Sequence, residues 1–218
     1  MLWPMPDAAP DSSRTRRLEL VATFLLAFAT LGTAWAAYQA REWTGEQAQG
    51  YSRATKNRIA VNRVSAVANR QVQIDVATFI QWVDARERGN SRLADFYRQR
   101  FRDEFEPAFA AWLATSPLTN PNAPETPFAM PQYRLAANTE ADRLEAAAAI
   151  DSSTANDANE RANGYMLGVV LFASALLFAG LSTKLASPGL RKGVVVLGCV
   201  LFVGTLVYLA TLPVRLTS

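Results

Sequence analysis

Leu20–Ala40 reads LVATFLLAFATLGTAWAAYQA, a run with no Asp, Glu, Lys or Arg. A helix needs ~20 mostly apolar residues to cross ~30 Å of hydrocarbon, and this stretch supplies them. The pattern returns twice, as YMLGVVLFASALLFAGLST over 165–183 and GVVVLGCVLFVGTLVYLATLPV over 193–214. Residues 18–40, 164–185 and 193–214 are therefore expected to be three transmembrane helices. The mean hydropathy of +0.02 averages these blocks with a polar region. A secretory signal is the alternative for the first block, since Arg14, Arg16 and Arg17 precede it and Ala34-Trp35-Ala36 suits cleavage. Signal cores run only ~7 to 15 residues, so a span fits better.

A net charge of +3 raises the question of nucleic acid. Between Gln39 and Gly164, however, 15 basic residues stand against 16 acidic ones, and the excess lies at Arg14, Arg16, Arg17, Lys184, Arg191, Lys192 and Arg215. Those positions flank the spans and read as topology determinants rather than as a phosphate footprint. Two crossings separate the basic clusters, so one orientation puts both in the cytoplasm: amino terminus inside, residues 41–163 outside, a loop at 186–192 inside and the tail 215–218 outside. Arg41, Arg53, Lys56 and Arg58 follow the first span closely, but a long domain crosses largely regardless of such charges.

Residues 1–17, with three prolines and no hydrophobic period, are expected to be a disordered tail with a basic end. From Arg41 to Arg88 no proline occurs, and Val61, Val64, Ala68, Val72, Val76, Phe79 and Val83 recur every three or four positions. That spacing predicts a helix with one buried stripe. Unbroken, it would rise ~72 Å, and Gly45 and Gly50 are the expected points of bending. Gly89-Asn90 supplies a stop. A second helix is expected over Ser91–Thr115, kinked or restarted at Pro107. Five prolines between 116 and 131 demand an extended connection, and helix is expected again from Gln132 into the second span. The whole reads as an all-α protein, with a long helical hairpin or small bundle inserted between its first and second spans.

Phe101, Phe105, Phe109 and Trp112 recur at helical spacing, as a core stripe or an apolar ligand groove. Trp35, Tyr38, Trp43 and Tyr165 lie at the outer ends of the first two spans, where amphipathic rings settle among headgroups. Gly164, Gly168, Ala175 and Gly180 in the second span, with Ala148, Ala155 and Ala162 before it, form a small-residue face for close helix packing, within the chain or between copies. Thr23, Thr30, Thr33, Ser174, Ser182, Thr205 and Thr211 could line a pore or bond back to their own helices.

The chain has no histidine, and its single cysteine, Cys199, lies in the third span. Zinc sites built from His and Cys are excluded, no metal or cofactor is expected, and the phosphate-loop, GxSxG, HExxH and dinucleotide motifs are missing. Asp103 and Glu106 could work as an acid–base pair, but any charged helix surface offers such pairs. The apolar runs 20–40, 165–183 and 193–214 hold no Asp, Glu, Lys or Arg, which removes the usual mark of proton relays and coupled transporters.

Phe96-Tyr97, Arg100-Phe101, Glu104-Phe105, Pro107-Ala108, Trp112 and the run Pro127-Phe128-Ala129-Met130-Pro131-Gln132-Tyr133 resemble a group of bacterial three-span membrane proteins of unknown function. Trp35–Ala40 is similar to a segment of another such bacterial family. The resemblance implies a bacterial origin and a helical architecture. The layout of span, helical outer region and span is also similar to bacterial sensory receptors, although the chain then re-enters the membrane instead of carrying a signalling module. The expectation is a noncatalytic inner-membrane protein in contact with lipids, working as a homo-oligomeric assembly or scaffold, with an oligomeric pore or a sensory accessory protein as alternatives. An unidentified protein partner fits the last reading; nucleic acid fits none.

Overall fold

The computed structural model describes residues 12–117 and 119–216, with side chains from residue 16 onward. It is 81% helix, with no strand among the described residues. Its helices are α1 (Ser12–Glu87), α2 (Ser91–Arg98), α3 (Glu106–Ala114), α4 (Ala136–Ser182) and α5 (Pro188–Ala210), with a short 3₁₀ turn at Pro127–Ala129. α1, α4 and α5 each contain a stretch long and apolar enough to cross a membrane, the pattern of a multi-pass membrane protein.

Several boundaries differ from the sequence reading. α1 already runs through 12–17, the basic end of the expected tail; residues 1–11 of that tail lie outside the described residues. No break occurs at Gly45 or Gly50, because ~1 kcal/mol per helical glycine does not interrupt a helix supported along its length. The helix stops at Gly89, whose φ of +69° is open to glycine, and Asn90 accepts from the Leu93 N–H at 3.1 Å to cap α2. The single helix expected over Ser91–Thr115 is two, since Pro107 has no N–H to give an earlier carbonyl and sits in the first turn of α3. The return helix begins at Ala136 rather than Gln132, where the Glu104 carboxylate accepts the Ala136 N–H at 2.9 Å. α4 ends at Ser182, short of 185, and α5 starts at Pro188 rather than Gly193, which shortens the connection expected at 186–192.

The chain divides into two compact units, one of residues up to Tyr51 together with those from Ser153, the other Ser52–Ser152. In the span unit, Ala29, Ala36 and Ala40 of α1 face Ala158, Ala162, Tyr165 and Phe172 of α4, and Leu209 of α5 joins them. Gly32 exists for Phe172: a Cβ there would lie 2.8 Å from the ring. Glu19 pairs with Arg191 at 3.2 Å, tying α1 to the start of α5. In the polar unit, Ala54 and Ala68 on α1 and Ala141 and Ala148 on α4 are buried. Arg53 and Asn57 both meet Asp151, at 3.2 and 3.0 Å, and Arg58 meets Ser152 at 3.1 Å.

Candidate functional site

The polar unit is built around Asp75, a single carboxylate in an otherwise acid-free run of α1 from Gln47 to Val83. Asp75 is wholly buried. Its Oδ2 accepts from Arg102 Nη1 at 2.9 Å and from the Tyr133 hydroxyl at 3.0 Å. Arg102 also pairs with Glu104, the cap of α4. Two segments distant in sequence, 102–104 and 133–136, are thereby tied to one turn of α1. Asp75 Oδ1 and Gln71 Oε1, four residues apart on the helix, are buried without a hydrogen-bond partner among the described residues. Burial pushes the Asp75 carboxyl above its ordinary value, against the lowering effect of Tyr133 and Arg102, while Glu104 adds a raising charge. Burial also raises the Tyr133 phenol, and its bond to Asp75 raises it further. A carboxylate closed off from solvent cannot meet a dissolved substrate; the arrangement works as a structural tie.

Phe101, Phe105, Phe109 and Trp112 do not share one helix, because the break between α2 and α3 falls among them. All four are nevertheless buried together, against Phe79 and Trp82 of α1 and Phe128 of the Pro-rich connection. Edge-on contacts dominate, such as Phe79 to Trp112 at 5.3 Å and Trp82 to Phe109 at 4.8 Å between ring centres. Trp112 Nε1 donates to the Pro124 carbonyl at 2.7 Å and fastens the connection to this core. Between them opens a cleft of about 450 Å³ lined by Phe79, Trp82 and Trp112 together with Pro117, Pro121 and Pro124. Asp103 and Glu106 line one shallow cleft together with Arg98, and Glu106 is bound to Arg98 at 2.8 Å.

The four rings expected at the headgroup layer separate into two kinds. Trp35 and Tyr38 are exposed side by side, with centres 6.0 Å apart. Trp43 and Tyr165 are buried instead, and both donate to the Pro213 carbonyl at 3.2 Å. Beside them Gln39, wholly buried, makes a two-way bond with Arg215: its Nε2 donates to the Arg215 carbonyl and its Oε1 accepts the Arg215 N–H, both at 2.9 Å. Glu46 holds the Arg215 guanidinium at 2.6 Å. The segment after α5 is thus clamped onto α1. Trp43 is further flanked by Arg161, 4.6 Å from its ring.

Of the small residues, Gly164 and Gly168 pack within the chain: a Cβ at Gly164 would lie 3.0 Å from Leu212, and at Gly168 2.7 Å from Leu209. Ala175, Ala148 and Ala155 are fully buried and Ala162 nearly so. Gly180 faces open space. The span hydroxyls all bond back: Thr23, Thr30, Thr33, Ser174 and Thr205 donate four residues back, and Ser182 and Thr211 three back, at 2.6–2.9 Å.

Sequence reasoning missed Asp75, Gln39, Arg102 and Tyr133. Asp75 had a readable signal, a lone acid on the valine-bearing stripe of α1. Among the described residues no group of three or more His, Cys, Asp or Glu is placed to hold a metal. Comparison with protein-family models, curated proteins and solved structures finds no match to this chain.

Proposed function

We propose that this is a noncatalytic protein of a bacterial inner membrane that acts as a homo-oligomeric assembly or scaffold. The amino terminus lies in the cytoplasm and residues 41–163 form one extracytoplasmic helical insert, as the two basic clusters an even number of crossings apart imply. The observation that carries the assembly reading is the apolar surface of α1 within the polar unit: Ile59, Val67, Ile74 and Ile80 are all about half exposed on a part of the helix that no bilayer covers. Such a surface is costly in water and is covered when copies meet. Mass measurement in mild detergent over a range of concentrations tests this, and a particle of one chain throughout would end it.

A sensory accessory role is the second reading, supported by the aromatic cleft of about 450 Å³. A ligand-dependent rise in the melting temperature of the chain would favour it. The pore alternative loses its main support, since the span hydroxyls are engaged with their own helices.

A further inference from the structure

The exposed face of α1 in the polar unit has a definite chemistry. Lys56, Ile59, Arg63, Val67, Arg70 and Ile74 follow one another three or four residues apart, and all six are exposed. At 100° per residue they share a sector of about 80° and a length of ~27 Å. The stripe alternates basic and aliphatic groups and contains no acid.

The exposed face of α4 in the same unit has the opposite sign. Asp142, Glu145, Ala146, Ala149 and Ile150 lie outward, Ile150 at 69% exposure. The nearby Arg143 is held by Glu140 at 2.6 Å. Side chains of Arg63, Arg70, Asp142 and Glu145 have no hydrogen-bond or ion-pair partner among the described residues. The α1 stripe points away from α4 of its own chain, because the buried Ala54 and Ala68 fall on the opposite side of α1; on α4 Ile150 lies opposite the buried Ala141 and Ala148, while Glu145 is exposed at the edge of that buried face.

Heights agree as well. Arg53 meets Asp151 and Asp75 meets Tyr133, so the two segments are antiparallel and their register is known. By that register Arg63 is level with the turn carrying Asp142 and Glu145, and Ile59 with the turn carrying Ile150. Copies related by rotation about an axis parallel to these two helix segments hold equivalent residues at one height, so residues level within a chain are level between chains.

We infer that the basic-aliphatic stripe of α1 docks onto the acidic α4 face of a neighbouring copy, with Arg63 between Asp142 and Glu145 and Ile59 against Ile150. The interface joins two different surfaces head to tail, and repeated by rotation it closes a ring. The inference rests on the assembly reading above and names the surface that assembly uses.

The test uses the full chain in a Cys199→Ala background. Two differently tagged forms are co-expressed, one with Ile59→Cys and the other with Ile150→Cys, so a disulfide joining the tags forms only between copies. The expected result is a cross-tag disulfide in membranes under mild oxidant. In parallel, Arg63→Glu should raise the concentration for half-assembly about three- to tenfold, and Glu145→Arg in the same chain should restore it. A melting temperature of Arg63→Glu equal to that of the wild type shows that the single variant folds. Absence of the 59–150 disulfide, or of rescue, in a wild-type particle heavier than one chain overturns this pairing and leaves the assembly reading standing. A wild-type particle of one chain overturns both.

Discussion

Asp75 is the one wholly buried carboxylate among the described residues, and its titration gives it a sign that a surface acid lacks. Because burial raises its carboxyl above 3.8, the folded polar unit holds this proton more tightly than the unfolded chain does. Its contribution to stability therefore grows as pH falls from neutrality toward 3.8 and shrinks as pH rises through the folded value. Glu140, lowered by its bond to Arg143, has the opposite sign: its contribution is present above 4.5 and is lost as pH falls. That pair is exposed and screened by solvent. Melting followed by the near-ultraviolet signal of the aromatic core should show wild type gaining on Asp75→Asn as pH is lowered from 7.5 to about 4.5; a wild type that loses ground would mean that Arg102, not burial, governs the carboxyl. Phe105→Ala should destabilise the polar unit by about 3 kcal/mol or more, since the ring is enclosed on all sides. Less than about 1 kcal/mol in denaturant titration would place the ring outside the core.

At the scale of elements, the three span helices were readable because a run without charge has few other homes, and the halt at Gly89 because glycine tolerates positive φ. The partner of each span face was not readable. Apolar periodicity does not distinguish lipid from protein, so Trp43 and Tyr165 looked the same as Trp35 and Tyr38 until the chain after α5 was seen to return to them. The aromatic stripe was a spacing pattern whose helix turned out to be broken, yet whose rings converge, because burial acts on side chains whatever the backbone between them does. Glycine pairs behave likewise. Gly168→Val puts carbon where Leu209 stands and should lower the melting temperature through overpacking of about 1–3 kcal/mol. Gly180→Ala, with open space around it, should leave melting unchanged or slightly raised. Equal effects from both would show that α4 and α5 do not pack through Gly168.

For the whole molecule, the proposed orientation rests on charges rather than on packing, and it is tested by side. Reporters fused at Gly89 and Gly189 should fall on opposite faces of the membrane, Gly89 outside; the reverse would invert the assignment. The units themselves had an imprint in the sequence, where apolar blocks without charge give way to a charge-balanced stretch. Their internal ties did not, since the residues that make them lie far apart in the chain: Gln39 and Arg215 are separated by 176 positions.

That separation has a consequence for synthesis. Gln39 leaves the ribosome long before the backbone it bonds, so throughout translation its amide waits at the end of the first span with neither of its partners made. Only a chain extended through Arg215 closes the bond, and with it the Pro213 carbonyl reaches Trp43 and Tyr165. A product cut short before Pro213 keeps all three spans nearly whole yet leaves an unpaired amide and two unpaired ring donors together. The clamp therefore depends on residues 213–215, and pulse-chase labelling should show a 1–212 product, with its unpaired amide and ring donors, disappearing faster than the 1–218 chain.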